Sequence, residues 1–125
     1  MSLNNREIIK KVNISSSKLL KEKGYISIVD VLMDIGKLSK DNYEAWRFKK
    51  VPYLEKVITA NLGKINLILR TVQKNSENGH LRPSKTVYKS WGKGPQILLS
   101  FSKSGDPKLE NAYSTHFLKP KGGNG

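Results

Sequence analysis

Apolar residues recur along the first two thirds of the chain at three- and four-residue steps, then at every second residue beyond position 86. Ile8, Ile9 and Val12 share one face of a first short helix. Leu19 and Leu20 anchor a second after the cap-forming run Ser15-Ser16-Ser17, and Gly24 ends it. Ser27 opens the next helix. Asp30 answers it three residues on, in the spacing of a capping box, and Ile26 and Val31 flank the cap as a hydrophobic staple. Leu32 and Ile35 carry the buried face to Gly36. Leu38 lies in the turn, Ser39 caps a further helix with Asp41 in its first turn, and Tyr43 and Trp46, three apart, face inward.

Pro52 suits the first position of a long third helix. Its apolar stripe is Leu54, Val57, Ile58, Leu62, Ile65, Leu69 and Val72. Continued to Lys74, that helix is about 35 Å long at about 1.5 Å per residue. Gly63 in its middle costs up to ~1 kcal/mol relative to alanine, and Asn78-Gly79 stops it. The period then changes to two. Val87, Lys89 and Trp91 alternate with Thr86, Tyr88 and Ser90; Ile97, Leu99 and Phe101 alternate with Leu98, Ser100 and Ser102. Gly92-Lys93-Gly94-Pro95 between them reads as a hairpin loop. Asp106 and Pro107 cap and open a last helix that presents Leu109, Ala112, Tyr113 and Phe117 on one side and carries His116 near its end.

These elements predict an α+β chain, mainly helical, with a C-terminal β-hairpin and a final helix. Residues 1–24 form an N-terminal helical extension with a frayed start at 1–5, residues 25–118 a single domain, and residues 119–125 a disordered tail. Three helices followed by a basic hairpin is a winged-helix-like order. In that arrangement one helix enters a major groove and the hairpin lies along the phosphates or the minor groove. The pattern departs from a compact helix-turn-helix at Leu32, where a small residue lets the second helix approach, and at Asn42, where an apolar residue is expected. The alternative is a domain whose hairpin covers a long core strut.

Charge gives these elements a partner class. The 125 residues hold 23 Lys and Arg against 10 Asp and Glu, a net +13. The excess grows along the chain: residues 1–60 carry 12 basic and 7 acidic side chains, residues 61–125 carry 11 and 3. From Arg82 to Lys103 there are five cations and no acid. Such a field attracts polyanions, and nucleic acid is the commonest large one in a cell. The candidate phosphate contacts are Arg47, Lys49 and Lys50 before the third helix, with Arg82, Lys85, Lys89, Lys93 and Lys103 on and around the hairpin, where Lys93 sits between two glycines at the tip. Trp91, beside the loop, is the aromatic best placed to stack on a base, whereas Trp46 belongs to the core. Duplex DNA is the expected partner ahead of RNA. An acidic protein docked by an interaction module is the alternative.

Other classes are disfavoured. Cysteine is absent, which removes disulfides, thiolate zinc and cysteine nucleophiles. No apolar run reaches the ~18 residues of a membrane span and no secretory leader is visible, so a cytoplasmic protein with no membrane partner is expected. The ten acids are dispersed singly, and the glycine loop lacks the spacing of a phosphate-binding P-loop. Asp106, Glu110 and His116 are the one grouping that imitates a metal site, and Asp106 is accounted for as a cap. No catalytic residue, cofactor or metal is therefore assigned. A small nuclease-like enzyme, with metal-dependent turnover lost on replacing His116 or Asp106, stands third.

The stretches Trp46-Arg47-Phe48, Val51-Pro52-Tyr53-Leu54-Glu55 and Phe101-Ser102-Lys103-Ser104-Gly105-Asp106-Pro107, with Ala112-Tyr113 and Thr115-His116 after them, are similar to those of a group of small bacterial proteins of unknown function. The resemblance spans residues 25–117 and implies one folded unit. It brings no activity, cofactor or site residue.

Overall fold

The computed structural model describes residues 4–120. The chain is α+β, with five α-helices and a small antiparallel sheet. The N-terminal region is one helix, α1 (Asn5–Lys23), and not two. Asn4 caps it in a complete capping box with Glu7, and Gly24 ends it with a left-handed φ of 83°. Ser15 and Ser16 are interior, not caps: both are buried, and the Ser15 hydroxyl donates to Asp34 at 2.7 Å. With Ile8, Val12 and Leu19 they form the stripe that α1 turns to the core.

After the two-residue strand β1 (Tyr25–Ile26), helices α2 (Ile28–Asp34) and α3 (Lys40–Arg47) begin where expected. Ser27 and Ser39 accept the backbone N–H of Asp30 and Asn42. The Asp30 carboxylate does not close a box, because it turns to the Lys23 ammonium at 3.1 Å.

The long third helix is shorter and later than its apolar stripe suggests. Residues Leu54–Val57 make a single 3-10 turn, and the chain is extended at Ile58. Thr59 gives both its backbone N–H and its hydroxyl to the Lys37 carbonyl. The β-branched run Val57-Ile58-Thr59 favours that extended passage. Helix α4 (Leu62–Asn78) then starts at an Asn61 cap, which places Gly63 in its first turn, where it interrupts nothing. α1 lies along α4 and runs in the same sense: Asn5 meets Lys64 near one end and Asn13 meets Asn75 near the other.

The expected β-hairpin is the larger correction. Residues 86–102 form an irregular arm with one isolated bridge, Lys89 to Leu98, supported by backbone bonds from Leu99 to Tyr88 and from Ser90 to Ile97. The sheet is built elsewhere: β1, the central β3 (Thr115–Leu118) and the edge strand β2 (Arg82–Lys85). Tyr25 is paired with Leu118 and Ser84 with His116, and Pro83 occurs on an edge strand, where its missing N–H is tolerated. Helix α5 (Pro107–Ser114) opens at Asp106 and Pro107 as expected but stops before Thr115, so Phe117 and His116 belong to β3.

One core collects residues from every helix, among them Trp46, Tyr113, Ile8, Leu32, Leu54 and Ile68. Lys119 is tied by its N–H to the Gly24 carbonyl. Residues 121–125 of the expected tail, and 1–3 of the expected frayed start, lie outside the described residues.

Candidate functional site

The C-terminus of α3 and the arm meet at one place. α3 ends in a Schellman turn: Lys50 N–H reaches the Ala45 carbonyl, Lys49 N–H reaches that of Trp46, and Lys49 carries the left-handed φ of 60°. Just before this turn, Arg47 and Phe48 meet the arm. Trp91 N–H donates to the Arg47 carbonyl at 2.7 Å, and the Phe48 and Trp91 rings meet edge to face at 5.6 Å. Gly92 passes so close to Phe48 that a Cβ there would lie 3.6 Å from its ring. Phe48 and Trp91 remain 47% and 39% exposed. The result is an open shelf of two aromatic rings; Lys49 and Lys50, which follow Phe48 in the chain, and Lys89 and Lys93, which flank Trp91 on the arm, are exposed.

Arg47 plays a different part from its neighbours. Its guanidinium carbon lies 4.6 Å from the Trp91 ring centroid, 5.2 Å from that of Tyr88 and 5.8 Å from that of Tyr43. Three aromatic faces stabilise the cation and hold the arm to α3. Arg47 Nε and Nη1 are buried and have no hydrogen-bond partner among the described residues. Beneath the ring cluster, Trp46 is fully buried and donates its indole N–H to the Ser100 carbonyl at 2.8 Å.

Two carboxylates fix the base of the arm. Glu110 accepts the N–H groups of Phe101 and Ser102 and the Ser102 hydroxyl. Glu55 accepts the Lys103 N–H at 2.9 Å with one oxygen and the Tyr113 hydroxyl at 2.8 Å with the other. Leu54 and Glu55 return backbone bonds to the carbonyls of Ser100 and Phe101. Burial, then the bond and charge of Glu55, push the Tyr113 hydroxyl well above the usual tyrosine range, so it remains a donor.

The remaining candidates sit on other elements. Arg82 and Lys85 are exposed on edge strand β2. Lys103 leaves the clamped segment beside a 540 Å³ groove lined by Ala60, Leu62, Ile65 and Leu109. Comparison with family models, curated proteins and solved structures gives no match. The grouping that imitated a metal site is dispersed: Asp106 caps α5, Glu110 faces the arm, and His116 Nε2 is 2.8 Å from the Tyr88 hydroxyl. Among the described residues no three His, Asp or Glu side chains gather as metal ligands, and no helix is long and apolar enough to cross a membrane.

The sequence did not single out the polar cavity behind Arg47. It is a partly open hollow of 280 Å³ between the end of α1, β1, α2, α3, the start of the arm and β3. Tyr25 stacks on His116 with ring centroids 5.1 Å apart and planes 6° from parallel. Burial lowers the His116 pKa from its ordinary value, and burial raises those of Tyr43 and Tyr88. Burial also opposes the Lys23 charge, but the bond and charge of Asp30 outweigh it and hold the ammonium above its ordinary range.

Proposed function

We propose that the protein binds nucleic acid without catalysis, duplex DNA ahead of RNA, through phosphate contacts from the shelf and the arm. The observation that carries this reading is the fate of six of the ten carboxylates. Glu55 and Glu110 are turned onto the arm's backbone, Glu7 and Asp106 cap helices, and Asp30 and Asp34 pair with Lys23 and Lys18. Those are the two ion pairs among the described residues. Lys49, Lys50, Lys89 and Lys93 are exposed, take part in neither ion pair, and stand within two sequence positions of the exposed rings of Phe48 or Trp91. Lysines so placed neutralise phosphates and release condensed counterions, and Trp91 and Phe48 offer faces to a base.

Arg47 acts here by seating Trp91, while Arg82, Lys85 and Lys103 extend the field from other elements. The winged-helix-like order of the sequence is part of this reading only in the sense that helices precede a basic arm, which takes the place of the wing.

Titration of labelled duplex and single strands at several salt concentrations tests it. Four engaged lysines predict a slope of log affinity against log salt of about −4. The pair Lys89→Glu and Lys93→Glu should weaken binding at least about tenfold without lowering the melting temperature. Unchanged affinity in that variant would overturn the reading. A second reading, docking of an acidic partner protein, draws on the exposed arm residues Val87, Ile97 and Leu98. It predicts stoichiometric protein association and little salt-sensitive affinity for duplex.

A further inference from the structure

The cavity behind Arg47 has the chemistry of a binding site that the shelf does not need. Its charges do not cancel. Lys23 and Asp30 satisfy each other at 3.1 Å, which leaves the Arg47 guanidinium as the unmatched charge on the wall. The aromatic faces around it stabilise a cation but supply no acceptor in the plane of its N–H groups, and Nε and Nη1 stay without a partner. A guanidinium is a planar fork matched to an oxyanion. Around it stand further polar groups held in place by the fold: the Tyr43 hydroxyl from α3, and the Tyr88 hydroxyl coupled at 2.8 Å to His116 on β3. His116, kept neutral by burial, adds no competing positive charge.

We propose that this cavity binds a small ligand through one oxyanion group, phosphate or carboxylate, received by Arg47 and flanked by Tyr43 and Tyr88. Nε and Nη1 are covered in the structure, so capture involves rotation of the guanidinium among its rings. Cation–π contacts tolerate this, since they depend on the ring face more than on one N–H direction. The oxyanion replaces the missing acceptors, and its charge is met by the cation of the cavity wall that has no ion pair among the described residues. The volume, 280 Å³, suits a small metabolite and excludes a duplex.

The test follows the Arg47 Nε–Hε resonance of the full chain while inorganic phosphate, acetate and a nucleoside 5′-monophosphate are added in turn, with chloride holding ionic strength constant. Saturable movement of that resonance, together with the ring signals of His116, is expected with at least one probe; the tighter of phosphate and acetate identifies the oxyanion. A tighter response to the mononucleotide than to phosphate shows that the rest of the cavity is also used. Arg47→Lys keeps the charge and removes the fork, so affinity should fall about tenfold or more. Tyr88→Phe, which leaves the guanidinium untouched, gives a second variant should Arg47→Lys disturb the arm; it should weaken the same probe severalfold. Lys93→Glu should leave the response intact, which separates this site from the shelf. No saturable shift with any probe, or the same affinity in wild type, Arg47→Lys and Tyr88→Phe, overturns the proposal.

Discussion

Among the described residues, two hold a left-handed backbone without being glycine: Lys49 at φ 60° and His80 at φ 55°. Both occupy the position after the cap of a Schellman turn. At the end of α4, Leu81 N–H reaches the Ser76 carbonyl and His80 N–H reaches that of Glu77. Gly79 directly before has an ordinary φ of −87°, so the glycine that seems to stop the helix is one residue early and the strain falls on histidine. A left-handed residue with a Cβ costs about 1–2 kcal/mol, and glycine, with its freer unfolded chain, recovers only part of it. His80→Gly should therefore raise stability by about 0.5–1 kcal/mol, read from the shift in urea midpoint at constant slope. A lower midpoint would mean that the histidine ring contributes more than its backbone costs.

Among the elements, the arm is the one whose stability least resembles what its sequence pattern implies. Its alternation is real: Tyr88 and Ser90 are buried while Val87 and Trp91 are exposed. Yet the alternation selects a face without producing a ladder, because a glycine-rich tip and two short limbs give one bridge. What holds the arm is lateral, from Glu110, Glu55, Trp46 and Arg47, and those contacts span up to 54 positions of sequence. Local reading found the caps at Ser27, Ser39 and Asp106, since each cap acts within three residues. It missed the sheet, where β1 has two residues and Phe117, four after Tyr113, falls in helical spacing while lying on a strand. It proposes the lysines of the shelf but offers no sign of the Arg47 cavity, whose parts come from six segments and carry no spacing of their own. The neighbouring stretches Trp46-Arg47-Phe48 and Val51–Glu55 and the distant Phe101–Pro107 are brought together by this clamp. Glu110→Gln should expose its strength. An amide accepts with one oxygen where the carboxylate accepts with two, and the loss of charge weakens what remains. A cost of about 2–3 kcal/mol is expected, with faster hydrogen exchange at Phe101 and Ser102 than elsewhere in the core. Uniformly faster exchange across the molecule, with no local excess, would show that Glu110 is not what seats the arm.

At the scale of the whole molecule, the inward use of acids has a consequence that needs no ligand to observe. A chain of net +13 in which six of the ten carboxylates serve backbone, caps or the two ion pairs leaves its surface lysines repelling one another. The unfolded chain spreads the same charges over a larger volume, so repulsion favours unfolding. The opposing contribution is small: both ion pairs involve half-exposed lysines, and such pairs are worth less than ~1 kcal/mol each. Raising sodium chloride from about 0.01 to 0.15 M shortens the screening length from about 30 to about 8 Å, which relieves long-range repulsion while leaving contacts at 3 Å nearly intact. Stability should rise by something on the order of 1 kcal/mol and the melting temperature by about 4 °C. Polyanion binding responds to the same change with the opposite sign, since the counterions it releases are then more costly to displace. One salt series thus separates two kinds of surface. If melting temperature falls with salt, attractive pairing dominates, the lysines are compensated, and the shelf loses the property on which phosphate binding depends. If it rises while duplex affinity falls, the uncompensated field acts in both, against the fold and toward the polyanion.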